Sequence, residues 1–96
     1  METRKAKESK QELKKVDFRK IEVENVDGTI EVIDVSKVLG NIVWKQAQDL
    51  ETNTLGREIW GKGEVELTKE NIRFIEGVIP QFFAYIYQKG MLNAIK

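Results

Sequence analysis

Thr68–Lys89, TKENIRFIEGVIPQFFAYIYQK, carries the densest apolar pattern in the chain. Ile72, Ile75, Ile79, Phe82, Phe83 and Ile86 recur at steps of three or four with one doublet. On a helix of ~100° per residue they fall on one stripe. The spacing therefore predicts a long C-terminal helix whose stripe is a core face. Thr68 is placed to cap it, and Glu70 lies in the first turn, where negative charge suits the helix dipole. Pro80, the only proline, has no N–H for the Glu76 carbonyl, so a kink is expected there, and Gly90 reads as the stop. Phe74, Val78 and Tyr85 form a thinner second apolar line about a quarter turn away. Either other elements wrap the helix on two sides, or that line is an interface with a partner or a second copy.

Working outward, Glu64-Val65-Glu66-Leu67 alternates over four residues and reads as a short strand that pairs with a hairpin further up the chain, or as an extended lead-in. The hairpin is Val16–Val35, where two Val- and Ile-rich runs flank Val26-Asp27-Gly28-Thr29. Asp-Gly suits a two-residue loop with φ > 0 at both positions. In that register Val23 faces Val32, Asn25 faces Ile30 and Glu24 faces Glu31; a bulge near Arg19-Lys20 would bring Phe18 onto the apolar face with Ile21. Glu24 and Glu31 offer two carboxylates to a cation, but a cation needs further oxygen ligands, so a solvated face is the plainer reading.

Between hairpin and strand, Ser36 suits the N-cap of a helix reaching about Gln48, with Val38, Leu39, Ile42, Val43 and Leu50 as its apolar stripe. Trp44 lies opposite that stripe, among Lys37, Asn41 and Gln48. It is either buried on a second side or exposed as a partner's anchor, and two-sided burial is the expectation. Asp49–Asn53 interrupts the pattern, Thr54–Trp60 forms a short second helix, and Gly61-Lys62-Gly63 ends it. Two short helices invite a helix-turn-helix reading, but the second presents only Arg57 beside Glu58 to base edges. No internal repeat is expected.

The 96 residues contain no Cys and no His, which removes thiolate nucleophiles, imidazole bases and Cys/His zinc sites together. The only serines are Ser9 and Ser36, with no histidine to activate either, and Gly61-Lys62-Gly63 lacks the spacing of a phosphate loop. No enzyme, cofactor or metal is expected. Six Lys or Arg against three Glu make residues 1–15 net +3, and ten against thirteen make the remainder −3. With Leu13 as its only large apolar residue after Met1, the segment 1–15 reads as a disordered basic tail ahead of one domain, 16–96. Arg4, Lys5, Lys7, Lys10, Lys14 and Lys15 would carry the alternative function, nucleic-acid binding. No apolar run approaches ~18 residues and the first residues are charged, so the expectation is a cytoplasmic chain with no membrane span.

IEVENVDGTIEVIDVSKVLGNIVW followed by GKGEVELTKENIRFI resembles small uncharacterised proteins encoded in prophage or conjugative-element regions. The resemblance implies a non-enzymatic accessory or structural role in a phage-type assembly and carries over no functional residue. The expected architecture is α+β of order ββααβα: a hairpin and a short third strand packed on a long kinked C-terminal helix, with two shorter helices. The expected function is protein–protein interaction, with self-association, through Phe74, Val78, Tyr85, Trp44 and Trp60, and with no small-molecule substrate.

Overall fold

Residues 13–96 are described by a computed structural model. In chain order they form β1 (Lys14–Asp17), β2 (Ile21–Glu24), β3 (Ile30–Ile33), α1 (Ser36–Gln46), α2 (Leu50–Lys62), β4 (Glu64–Leu67), α3 (Lys69–Phe82) and α4 (Tyr85–Ile95). The fold is α+β, with two antiparallel two-stranded sheets, β1–β4 and β2–β3.

Alternation works as expected in β4, whose Val65 and Leu67 are buried while Glu64 and Glu66 are exposed. Its partner is the start of the expected hairpin, extended two residues upstream of Val16. β4 pairs with β1, setting Val16 opposite Val65 and Lys14 opposite Leu67. Lys14 and Lys15, assigned to the tail by composition, are therefore half of a strand. A ladder made about fifty residues away supplies what their own side chains lack, because strand pairing depends on the neighbouring strand more than on intrinsic preference. Residues 1–12 of the proposed tail lie outside the described residues.

The expected bulge at Arg19-Lys20 is a full turn that divides the first run into β1 and β2. Lys20 donates its N–H to the Asp17 carbonyl at 3.1 Å. The Asp17 carboxylate accepts from the Arg19 backbone N–H and from its guanidinium at 2.9 and 3.0 Å. Phe18, fully buried, joins the two sheets: its N–H donates to the Gly63 carbonyl and its carbonyl accepts from Val35 N–H, both at 2.8 Å.

The β2–β3 hairpin forms in a register one residue off the expected one. Ile21 pairs with Ile33, Val23 with Glu31 and Glu24 with Ile30. Gly28 donates to the Asn25 carbonyl and Asn25 to the Thr29 carbonyl, so the loop is the three residues Val26-Asp27-Gly28. Only Gly28 needs positive φ, at 87°, and Asp27 is spared it. The Asp27 carboxylate instead accepts from Thr29 N–H at 3.0 Å and Thr29 Oγ1 at 2.7 Å. That local bonding favours a type I turn with a glycine bulge over the two-residue loop. A one-residue shift exchanges faces, so Ile30 and Val32 are exposed while Ile21 and Val23 are buried.

Helix starts also move. Ser36 is the first residue of α1, and Val35 precedes it with no side-chain cap. Asp34 does the capping, accepting from Ser36 N–H at 2.9 Å and Ser36 Oγ at 2.6 Å. Asp49 caps α2 by accepting from Thr52 N–H at 2.7 Å, so α2 begins at Leu50, four residues before the expected start. Thr68 caps α3 as anticipated: its hydroxyl accepts from Asn71 N–H while Asn71 Oδ1 accepts from Thr68 N–H, each at 3.1 Å.

The C-terminal helix is divided. α3 runs through Pro80 and ends at Phe82, where extended backbone at Phe83 and Ala84 separates it from α4. Pro80 removes one backbone bond within the last turn. Phase is lost at the break. Ile75 and Ile79 are fully buried, but Phe82 and Ile86 are 46% and 48% exposed. α4 buries Met91 and Ile95 instead. Gly90 does not stop the helix; it lies inside α4, where an added Cβ would overlap the Glu22 carbonyl oxygen of β2. The glycine there permits close approach of helix and strand backbones.

Candidate interaction surface

α1 and α2 form an antiparallel pair built on a short repeat. Leu39-Gly40-Asn41-Ile42-Val43-Trp44 and Leu55-Gly56-Arg57-Glu58-Ile59-Trp60 share Leu-Gly-x-x-(Val/Ile)-Trp sixteen residues apart, which corrects the expectation of no repeat. Leu39, Val43, Leu55 and Ile59 of the two copies are all buried. The glycines set the distance between the helices. A Cβ on Gly40 would stand 2.6–2.8 Å from Trp60, and a Cβ on Gly56 2.5 Å from the Trp44 backbone nitrogen. The backbones therefore cross in direct contact, each glycine against the other helix's tryptophan.

Polar contacts repeat the same two-fold relation. Lys37, three residues before Gly40, donates its ammonium to the Trp60 carbonyl at 2.6 Å. Asn53, three residues before Gly56, donates its amide to the Trp44 carbonyl at 2.8 Å. Both acceptors sit in the last turn of a helix, where carbonyls lack intrahelical donors. Each helix thereby caps the other. The Lys37 ammonium is 3.9 Å from the centroid of the Trp60 ring, and the Arg57 guanidinium is 4.9 Å from that of Trp44, both within cation–π range.

Between the helices lies a cleft of about 190 Å³ lined by Gly40, Asn41, Trp44, Gly56, Arg57 and Trp60. The lining is three residues and their equivalents sixteen positions on. Trp44 is 40% exposed and Trp60 48%, so the expected two-sided burial of Trp44 is not what the fold does. Charge is segregated across α2. Arg57 faces the cleft, whereas Glu51 and Glu58 line a separate groove of about 620 Å³ with Asp49, Glu66 and Glu70.

The second apolar line does not persist as a surface. Val78 is buried, Phe74 is half-buried against the core, and Tyr85 lies beyond the helix break, 76% exposed. Tyr85 and Ile86 belong to a different feature, a groove of about 640 Å³ whose other wall is Val26 and Ile30 of the hairpin. Glu24 and Lys89 face each other across it at 3.7 Å. Lys14 and Lys15, from the basic set, are exposed on β1, while Arg4, Lys5, Lys7 and Lys10 lie outside the described residues. Asn53 has no role in the sequence reading, Lys37 appears there only as a neighbour of Trp44 and Arg57 only as a contact to base edges; the signal that relates them is the sixteen-residue repeat.

Asp17, Asp27, Asp34 and Asp49 are all held below the usual carboxylate range, chiefly by hydrogen bonds accepted from the Arg19 side chain, the Thr29 hydroxyl, the Ser36 hydroxyl and the Thr52 backbone N–H respectively. Among the described residues, no group of three or more acidic side chains is placed to hold a metal ion, and no helix is long and apolar enough to cross a membrane. No family model matches the chain, and neither a curated protein nor a solved structure matches it.

Proposed function

We propose that the chain is a non-enzymatic protein-interaction module acting in the cytosol, and that its contact face is the outer side of the α1–α2 pair. One observation carries this reading: two tryptophans at equivalent positions of a repeat flank one cleft and remain 40% and 48% exposed. Tryptophan and arginine are the residues that concentrate binding energy at interfaces. Crossing glycines and reciprocal caps hold both indoles on a rigid platform, so little ordering cost remains when a partner docks.

The test is affinity capture and light scattering in parallel, on the intact chain and on Trp44→Ser/Trp60→Ser with its fold verified by circular dichroism. The intact chain is expected to retain a protein, or a second copy of itself, that the variant loses. Equal retention by both, or none by either, overturns the reading. A second reading draws on the same cleft, since indoles bordered by Lys37 and Arg57 also suit single-stranded nucleic acid. Tryptophan quenching by an oligonucleotide that weakens steeply with salt would favour it.

A further inference from the structure

The outward ridge of α2 is bare and asymmetric from end to end. Leu50, Thr54, Arg57 and Gly61 follow at steps of four, three and four, which at ~100° per residue keeps them in one narrow strip. All four are exposed, Leu50 at 79%. Leu50 is a knob at the first turn. Three turns on, Gly61 leaves a notch, and nothing lies within 4 Å of where a Cβ would stand. One flank of the strip carries Glu51 at the knob end, Glu58 one turn before the notch and Lys62 at the notch end, all exposed. Among the described residues the ion pairs are Asp17–Arg19 and Glu24–Lys89, and neither Glu51 nor Lys62 takes part.

A surface with knob and acid at one end and notch and base at the other is complementary to its own reverse. We propose that a second copy of the chain lays its α2 antiparallel along this ridge, Leu50 of each over Gly61 of the other and Glu51 of each against Lys62 of the other. The proposal rests on the reading of the chain as a protein-interaction module and names the partner and contact. A two-fold axis normal to the plane of the two helices keeps each flank on its own side, so Glu51 meets the second copy's Lys62 rather than its Glu51, while the two Glu58 side chains lie on either side of the axis. Thr54, small and polar, lies opposite the second copy's Arg57 at the centre. Antiparallel packing also opposes the two helix dipoles favourably. Leu50 arriving at Gly61 covers part of the neighbouring Trp60, which joins this contact to the tryptophan face. Two helices of thirteen residues give an interface at the small end of the known range, under ~1,200 Å², so the dimer is weak and concentration-dependent.

The experiment is molar mass by light scattering from about 10 μM to about 1 mM, the range in which such contacts form. It is run on the intact chain, Glu51→Lys, Lys62→Glu, the double reversal and Gly61→Gln. The intact chain should rise towards twice its mass. Each single reversal sets like charges opposite one another at two symmetric positions and should weaken association by about tenfold, and the double reversal should restore it. Both reversals oppose the α2 dipole, so the double variant should be the least heat-stable and yet regain the dimer. Gly61→Gln should be monomeric while melting above the intact chain, since it replaces a helical glycine and fills the notch. A monomer throughout the series, single reversals without effect, or a double reversal without rescue overturns the proposal. A dimer that survives these changes and is lost in Trp44→Ser/Trp60→Ser also overturns it, while leaving the interaction-module reading intact.

Discussion

Replacing Gly56 with alanine should destabilise the fold although alanine is the better helix former. The added Cβ stands 2.5 Å from the Trp44 backbone nitrogen and 2.9 Å from the Gly40 carbonyl oxygen, where ordinary contact begins near 3.4 Å. Neither atom can swing aside, because both are backbone, so α1 and α2 must separate by about 0.9 Å. A gap of that size forfeits a quarter to a half of the dispersion attraction across it. Leu39, Val43, Leu55 and Ile59 are buried in this pair, each stabilising by ~1.5–3 kcal/mol. Losing about a quarter of their sum costs ~1.5–3 kcal/mol, within the range known for overpacked cores. Helix propensity returns ~1 kcal/mol, leaving a net loss of ~0.5–2 kcal/mol and a Tm lower by ~2–16 °C for a domain of this size. Gly77→Ala is the control. Gly77 lies in α3 with nothing within 4 Å of its Cβ position, so only propensity acts and Tm should rise by ~4–8 °C. Thermal melts followed by circular dichroism at one concentration read both. A Gly56→Ala variant melting at or above the intact chain would refute the backbone-to-backbone crossing.

Thr68→Ala removes the hydroxyl that accepts from Asn71 N–H and should cost ~1 kcal/mol, with Thr68→Ser close to neutral, as read from urea midpoints. Gly28→Val puts a β-branched residue at φ 87° and should cost ~1–2 kcal/mol or more, while Gly28→Asn costs less; equal effects would contradict the turn geometry. Asp17, Asp27, Asp34 and Asp49 have lowered pKa values in the fold. The stability they add is complete above the unfolded value near ~3.9 and is lost as pH falls through the lowered folded values. The urea midpoint should therefore fall as pH drops below about 4, and fall less in Asp34→Asn, which keeps an acceptor for Ser36 but does not titrate. An identical fall in both would remove Asp34 from the account.

Local signals in the sequence determined the existence and type of most elements. A capping threonine and a run of isoleucines place α3, alternation places β4, and Asp27-Gly28 places a turn, because each depends on residues within a few positions of one another. The same locality limits register. Asp-Gly is compatible with a two- or a three-residue loop, and the Thr29 bonds to the Asp27 carboxylate select the longer one, which exchanges the faces of Ile30 and Val32. Contacts over long separations were out of reach. Lys14 and Lys15 read as tail until β4 pairs with them, Gly90 reads as a stop until β2 is found against it, and the stripe from Ile72 to Ile86 reads as one face until Phe83 and Ala84 divide it.

The candidate face was half legible. Trp44 and Trp60 stand out in the sequence, and the repeat that relates them is written there as well. That they flank one cleft, with Lys37 and Asn53 capping each other's helix, is decided only when two glycines let α1 and α2 close to backbone contact. Sequence determines what lies within a turn or two along the chain, because hydrogen bonds and side-chain spacing act over that range. Tertiary packing decides which face meets which, because that depends on the shape of a surface contributed by residues far away.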